Sequence, residues 1–494
     1  MSMIKIENLT FSYPGSSETV FENCSFQIDT DWKLGFVGRN GRGKTTLLRL
    51  LQGKYTYTGS IIRSVSFDYF PCPVKDPGLP TRDVLAQVCP EAQDWQILRE
   101  FSLMGTAEEI LWQPFETLSG GEQTRALLAA FFLHEGYFPL IDEPTNHLDK
   151  EARAQVAAYL KKKKGFILVS HDRAFLDGCV DHILSLNRAT VEVQSGNFSS
   201  WMENFERQQA FEQARNDRIR KDIRRLEEAA RRTSSWSDRT EASKFGNGPV
   251  DRGFVGHKAA KMMKRSRVLE ARREKAVQEK AGLLKNVETA ESLKLFPLVH
   301  HSETLASLAQ VSPCYGETPV CSPVTFEVQR GERILLEGRN GSGKSSLLKL
   351  LAGKENAGSA LTHTGTLTLA SGLIVSLVPQ DTSFLRGSLN RFAADQGLDE
   401  TLFFAVLRKL DFERSAFTRN MEQCSAGQKK KILIARSLCQ RAHLYLWDEP
   451  LNYIDIYSRT QVEQLILEFA PTMVFVEHDQ AFQERIATKK IAVS

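Results

Sequence analysis

A fourteen-residue stretch occurs twice in the chain, as GRNGRGKTTLLRLL from Gly38 and as GRNGSGKSSLLKLL from Gly338, 300 residues apart. Each copy matches G-x-x-x-x-G-K-[ST], through Gly38, Gly41, Gly43, Lys44 and Thr45 in the first and Gly338, Gly341, Gly343, Lys344 and Ser345 in the second. The first follows the apolar run KLGFVG, so the pattern reads as strand, phosphate-binding loop, helix. The glycines let backbone N–H groups close around a β-phosphate at a helix N-terminus. The lysine neutralises β- and γ-phosphates, and the Thr or Ser hydroxyl is offered to Mg²⁺. Asn40 and Thr46, with Asn340 and Ser346, complete the two expected ATP-binding loops.

Three further motifs follow each loop in the same order, which makes a chance match to a glycine-rich turn untenable. In the first half LSGGEQ (Leu118 to Gln123) precedes a helical run, and Ser119, Gly120, Gly121 and Glu122 offer a second anion site at a helix start. The apolar YFPLI then runs into Asp142, expected to hold Mg²⁺ through water, and Glu143, expected to polarise an attacking water. ILVSHD ends a strand at His171, within reach of a γ-phosphate. The second half repeats this with Ser425, Gly427 and Gln428 in CSAGQKKK, Asp448 and Glu449 in LYLWDEP, and His478 in FVEHD. It adds Gln380 after Val-Pro. Lys44 precedes Asp142 by 98 residues and Lys344 precedes Asp448 by 104, so the chain reads as an internal duplication able to build two nucleotide sites within one polypeptide.

At 494 residues there is room for two or three domains, each with its own core. No run of 18 apolar residues exists. The opening MSMIKIENLTFSY alternates like a strand rather than like a signal peptide, and the eight cysteines contain no C-x-x-C pair. A cytoplasmic protein with reduced thiols and no membrane domain is expected.

Residues 201–300 match neither half. They hold 23 Lys and Arg against 15 Asp and Glu, a net of +8, while the whole chain is only +4, so basic charge is concentrated here and suits a polyanion. The segment reads as helix (201–235), loop, helix (257–292). Ile219, Ile223, Leu226 and Ala230 form one apolar stripe, and Met262, Leu269, Ala276 and Leu283 repeat every seven residues. A hairpin with its tip at about 236–256 follows. Trp236, Lys244, Phe245 and Phe254 at that tip either stack on exposed bases or fold back as a small satellite core. The expected architecture is α/β: a first domain at 1–200, a basic helical hairpin at 201–300, and a second domain at 301–494.

The ordered motifs resemble the ATP-binding cassette (ABC) ATPases. That resemblance implies two ABC-type P-loop ATPase domains in tandem, with ATP and Mg²⁺ as cofactors. It also implies head-to-tail closure, with each ATP between one loop and the other cassette's signature, and hence a monomer with intramolecular cassette pairing. Tyr13 and Tyr315 match the family's adenine-stacking aromatic, and Gln380 its metal-sensing glutamine. Two fused cassettes with a charged helical linker resemble the ABC-F group. FPLIDEPTNHLD, KKKKGFILVSHDRAFLD, SGNFS and WDEPLNYID are similar to its Lsa-type antibiotic-resistance members. The implied partner is the bacterial 70S ribosome: the hairpin enters by the tRNA exit site, contacts 23S rRNA near the peptidyl-transferase centre and P-site tRNA, and displaces lincosamides, pleuromutilins and streptogramin A compounds. A housekeeping translation factor without a drug role, or the ATPase subunit of a transporter, are the alternatives.

The two halves differ where chemistry is expected. Cys72 in DYFPCP stands where the second half has Gln380, and a thiol lacks an amide's donor and acceptor. Ala426 stands where the first half has Gly120. Under head-to-tail pairing both departures fall in one composite site. The site with Lys44, Asp142, Glu143 and His171 is therefore expected to hydrolyse slowly, and the one with Lys344, Asp448, Glu449 and His478 to be the faster ATPase.

Overall fold

The computed structural model describes residues 2–15, 19–145, 148–186, 191–242, 293–316, 318–353, 361–412 and 414–494. The chain packs into two units, one of Met1–Trp201 with Ala290–Ser494 and one of Met202–Thr289. Both cassettes lie in the first unit.

Each cassette is built on a sheet whose central strands are apolar on both faces, the pattern of a parallel sheet covered by helices. In the first, six strands run in the order Ser66–Phe70, Tyr137–Asp142, Phe166–Val169, Lys33–Gly38, His182–Leu186, Val191–Ser195. All neighbours are parallel except the last pair. In the second, five parallel strands run Val375–Val378, Leu444–Asp448, Met473–Val476, Arg333–Glu337, Lys489–Ala492. A smaller antiparallel sheet flanks each, formed in the first cassette by Thr19–Asp29, Met3–Ser12 and Thr58–Ile62.

The phosphate-loop helices, Lys44–Leu51 and Lys344–Leu351, bury their leucines between these sheets. Both start after a glycine in the left-handed region, Gly43 at φ 99° and Gly343 at φ 87°. A Cβ on Gly43 would also lie 2.6 Å from a Val20 methyl, so no other residue fits. The strands carrying Asp142 and Asp448 sit between the loop strand's neighbour and the sheet edge, which brings the motifs of one cassette to one end of its sheet.

The second unit corrects the sequence reading. Its helix runs unbroken over Phe198–Ala242, 45 residues and so about 67 Å, through Trp236, where a loop was expected. The Ser and Thr residues of TSSWSDRT lower helix propensity by only tenths of a kcal/mol each, whereas the first glycine and proline of the expected loop come later, at Gly246 and Pro249. Ile219 and Ile223 of the apolar stripe are half-buried, on the same face as buried Asn216. Lys244, Phe245, Phe254, the second helix and its heptad positions lie outside the described residues.

Candidate functional site

Two clefts lie between the cassettes, and in each a phosphate loop faces the other cassette's signature. The first, of about 600 Å³, is lined by Asn40, Gly41, Lys44, Thr45, Asp142, Glu143 and His171 from one side and Ser425, Ala426, Gly427 and Gln428 from the other. The second, of about 770 Å³, joins Gly341, Gly343, Lys344, Ser345, Ser346, Gln380, Glu449 and His478 to Ser119, Gly120 and Gly121. The head-to-tail arrangement expected from the motifs is thus the one observed. Both signature serines cap their helices through a reciprocal capping box, Ser119 with Glu122 and Ser425 with Gln428, leaving first-turn N–H groups and a helix dipole facing the cleft.

In the first cleft the Lys44 ammonium is buried and donates to Gly38 O (2.7 Å), Arg39 O (3.3 Å) and Asn40 Oδ1 (3.1 Å). Thr45 Oγ1 donates to Asp142 Oδ2 at 3.0 Å. Asn40 Nδ2 crosses the interface to Tyr453 O at 2.8 Å, so its Oδ1 is an acceptor. His171 Nε2, 3.0 Å from that oxygen, therefore carries the proton donated to it. Glu143 Oε1 lies 3.3 Å from the same imidazole nitrogen yet is buried without a hydrogen bond. Burial, with Asp142 beside it, pushes the Glu143 carboxyl up to about 8. Burial and the Lys44 charge hold His171 well below its ordinary value, so the ring is neutral.

The second cleft treats its glutamate differently. Glu449 accepts from Gln380 Nε2 (2.8 Å), Asn452 Nδ2 (2.7 Å) and His478 Nε2 (3.2 Å). Burial pushes this carboxyl up, but His478, Lys430 and Gln380 outweigh it and the net shift is downward. Burial thus favours the protonated form of Glu143, while the partners of Glu449 favour its carboxylate, the form that can accept a proton from water. Both glutamates have positive φ, 52° and 47°. This uncommon conformation for a non-glycine residue recurs in both copies, each held by a hydrogen bond from the glutamate N–H to the next strand, at Val169 O and Val476 O.

The Cys72 thiol makes only a 3.9 Å contact to Tyr69 O and is pushed up to about 12 by burial and Asp68. It reaches neither acidic residue. Ala426 is exposed in the first turn of its helix. A Cβ on the adjacent Gly427, by contrast, would sit 2.5 Å from Tyr453 O. The donor sets fit a hard cation shared with a nucleotide. Thr45 and Ser345 each stand beside an aspartate, and Asp448 Oδ1 is buried without a hydrogen-bond partner. Tyr13 and Tyr315 are exposed, with hydroxyls 2.6 and 3.4 Å from Thr46 and Ser346.

Sequence reasoning missed several groups here. Tyr69 donates to Asp142 Oδ2 at 2.8 Å. Lys431 pairs with buried Asp455 at 2.9 Å. Across the interface Arg173 pairs with Glu463 at 2.9 Å, and Arg39 with Asp411 at 3.4 Å. Only the duplicated register could have signalled them, since each is an ordinary polar residue in its own segment.

The sequence profile described as ABC transporter matches residues 21–146 and 321–452. The ribosome protection protein VmlR of Bacillus subtilis is 27% identical over all of this chain and 87% of its own length. The probable ATP-binding protein YheS of Escherichia coli K12 is 29% identical over 93% of this chain and 74% of its own. The energy-dependent translational throttle protein EttA of Haemophilus influenzae is 24% identical over 95% and 88%. Among solved structures, an archaeal ribosome recycling factor in complex with the stalk protein aP1 shares the fold at TM-score 0.63 and 20% identity, covering 98% of this chain and 87% of that one. No helix among the described residues is long and apolar enough to cross a membrane. With two nucleotide clefts built head to tail from duplicated motifs, the chain belongs to the ATP-binding cassette family, in its ABC-F branch.

Proposed function

We propose that this chain is a cytoplasmic, ribosome-associated ATPase that protects the bacterial 70S ribosome from antibiotics of the peptidyl-transferase centre. In this reading ATP joins the cassettes of a monomer and the closed form binds the ribosome. The basic hairpin of residues 201–300, between domains 1–200 and 301–494, enters by the tRNA exit site, contacts 23S rRNA and P-site tRNA, and displaces lincosamides, pleuromutilins or streptogramin A. Hydrolysis then releases it. Nucleotide acts by favouring one of two states, so turnover times a binding event.

The observation that carries the ATP-driven half is the pairing of each phosphate loop with the other cassette's signature, bridged by Asn40 and Tyr453. For the ribosomal half the support is the likeness to a ribosome protection protein along the whole chain, together with the net +8 of residues 201–300. In the fast site Glu449 would polarise the attacking water, with Gln380 and His478 orienting it. Mg²⁺ held by Ser345 and Asp448 would offset phosphate charge. The Thr45 and Asp142 site would bind ATP and hydrolyse it slowly, because burial favours the protonated form of Glu143 and, among the described residues, none donates a hydrogen bond to its Oε1.

The test is a purified translation system without membranes, inhibited in turn by a lincosamide, a pleuromutilin and a streptogramin A compound. Added protein restores synthesis if the reading holds. No restoration with any of the three drug classes, while the protein still co-sediments with 70S particles in ATP, would leave the translation-factor reading, which the likeness to the translational throttle protein also favours.

A further inference from the structure

The segment that carries glutamine in the second cassette carries another polar group in the first, three residues earlier. Aligning Phe70-Pro71-Cys72 with Val378-Pro379-Gln380 sets Tyr69 opposite Leu377. Both residues lie on the strand beside the one that ends in the aspartate, Tyr69 paired with Leu140 and Leu377 with Leu446. Leu377 packs against the apolar core. The Tyr69 ring also packs against its core, but its hydroxyl donates to Asp142 Oδ2 at 2.8 Å. Thr45 Oγ1 donates to the same oxygen at 3.0 Å. Two donors on one carboxylate oxygen fix its rotamer and leave Oδ1 for a ligand in the cleft that Asp142 lines. In the second cleft the corresponding segment acts on the other acidic residue, with Gln380 donating to Glu449 at 2.8 Å.

We propose that Tyr69 is a positioning residue of the first cleft, orienting Asp142 toward Mg²⁺ so that this site retains nucleotide although nothing from its segment reaches Glu143. The inference rests on the reading of two unequal ATP sites and deepens it. Gln380 donates to the glutamate of its cleft, whereas Tyr69 donates to the aspartate of its own, so the two corresponding segments hold different acidic residues. A phenol suits the aspartate because it donates a short hydrogen bond to a carboxylate while its ring stays in the core.

The test uses the full chain and a fluorescent ATP analogue, whose dissociation is followed in Mg²⁺ and in EDTA. Wild type is expected to show a fast and a slow phase, the slow one abolished by Lys44→Ala. Tyr69→Phe, which keeps the ring and so the packing, speeds the slow phase about tenfold in Mg²⁺. It leaves the rate in EDTA unchanged, as it does the fast phase. A slow phase in Tyr69→Phe equal to wild type in Mg²⁺ overturns the proposal. So does equal acceleration in EDTA, which would make Tyr69 a structural prop without bearing on the metal. A single phase in wild type would instead sink the two-site reading, and this inference with it.

Discussion

At the scale of residues, the difference between the cassettes lies in what touches each glutamate. Among the described residues Glu449 accepts three side-chain hydrogen bonds, whereas Glu143 Oε1 is buried without one. Glu449→Gln should therefore lower steady-state ATPase activity by about 10²–10⁴-fold, and Glu143→Gln should leave most of it, as phosphate release would show. Glu143 also makes a pH prediction. Its carboxyl is raised from 4.5 to about 8 in the folded chain, so the folded state binds this proton more tightly than the unfolded state does. That stabilisation is complete at low pH and is lost as pH rises through the folded value. Between pH 6 and pH 9 the melting temperature of the nucleotide-free chain should fall relative to that of Glu143→Gln; parallel curves would show that Glu143 does not titrate in this window. The motifs named both glutamates from the sequence. Their different surroundings were not legible, because they depend on burial in the closed interface and on long-range bonds such as that from Asn40 to Tyr453, 413 residues away.

At the scale of elements, the first signature helix was legible, although it begins at Gly120, inside the motif that the sequence places before the helical run. Ser119 with Glu122 and Ser425 with Gln428 are the spacing of a capping box, and each begins its helix. What the sequence hid is which of the two small residues after Ser425 matters. Gly427 lies against Tyr453 O, so Gly427→Ala should push the signature helix off the first phosphate loop and cut the nucleotide retained after gel filtration. Ala426→Gly should leave retention unchanged. The helix Phe198–Ala242 shows the converse limit. Its basic, periodic sequence announced a helix, but its end was placed early, because Ser, Thr and Trp are weak helix formers that neighbouring turns readily carry.

At the scale of the whole molecule, the cassettes are joined by contacts that the internal repeat does not duplicate. Arg39 is largely buried, 14% exposed, against Asp411, while its counterpart Arg339 is 84% exposed beside Glu151 at 3.7 Å. Arg173 pairs with fully buried Glu463, which also accepts from Arg485. Glu463→Ala would remove the charge partner of Arg173, leaving its hydrogen bond to Thr460, and should lower unfolding stability by about 3 kcal/mol in a denaturant titration; a loss within experimental error would mean that the pair does not hold the cassettes together. Duplication, motif order and head-to-tail pairing could be read from the sequence because they depend on repeated residues. The asymmetry of closure could not, because it rests on single substitutions such as Arg173 that have no partner within their own cassette. Single-turnover ATP hydrolysis by the full chain bound to ribosomes tests the central claim most directly. Unequal sites predict two phases, the fast one abolished by Glu449→Gln and retained by Glu143→Gln. Loss of the fast phase in Glu143→Gln, with its survival in Glu449→Gln, would contradict the account.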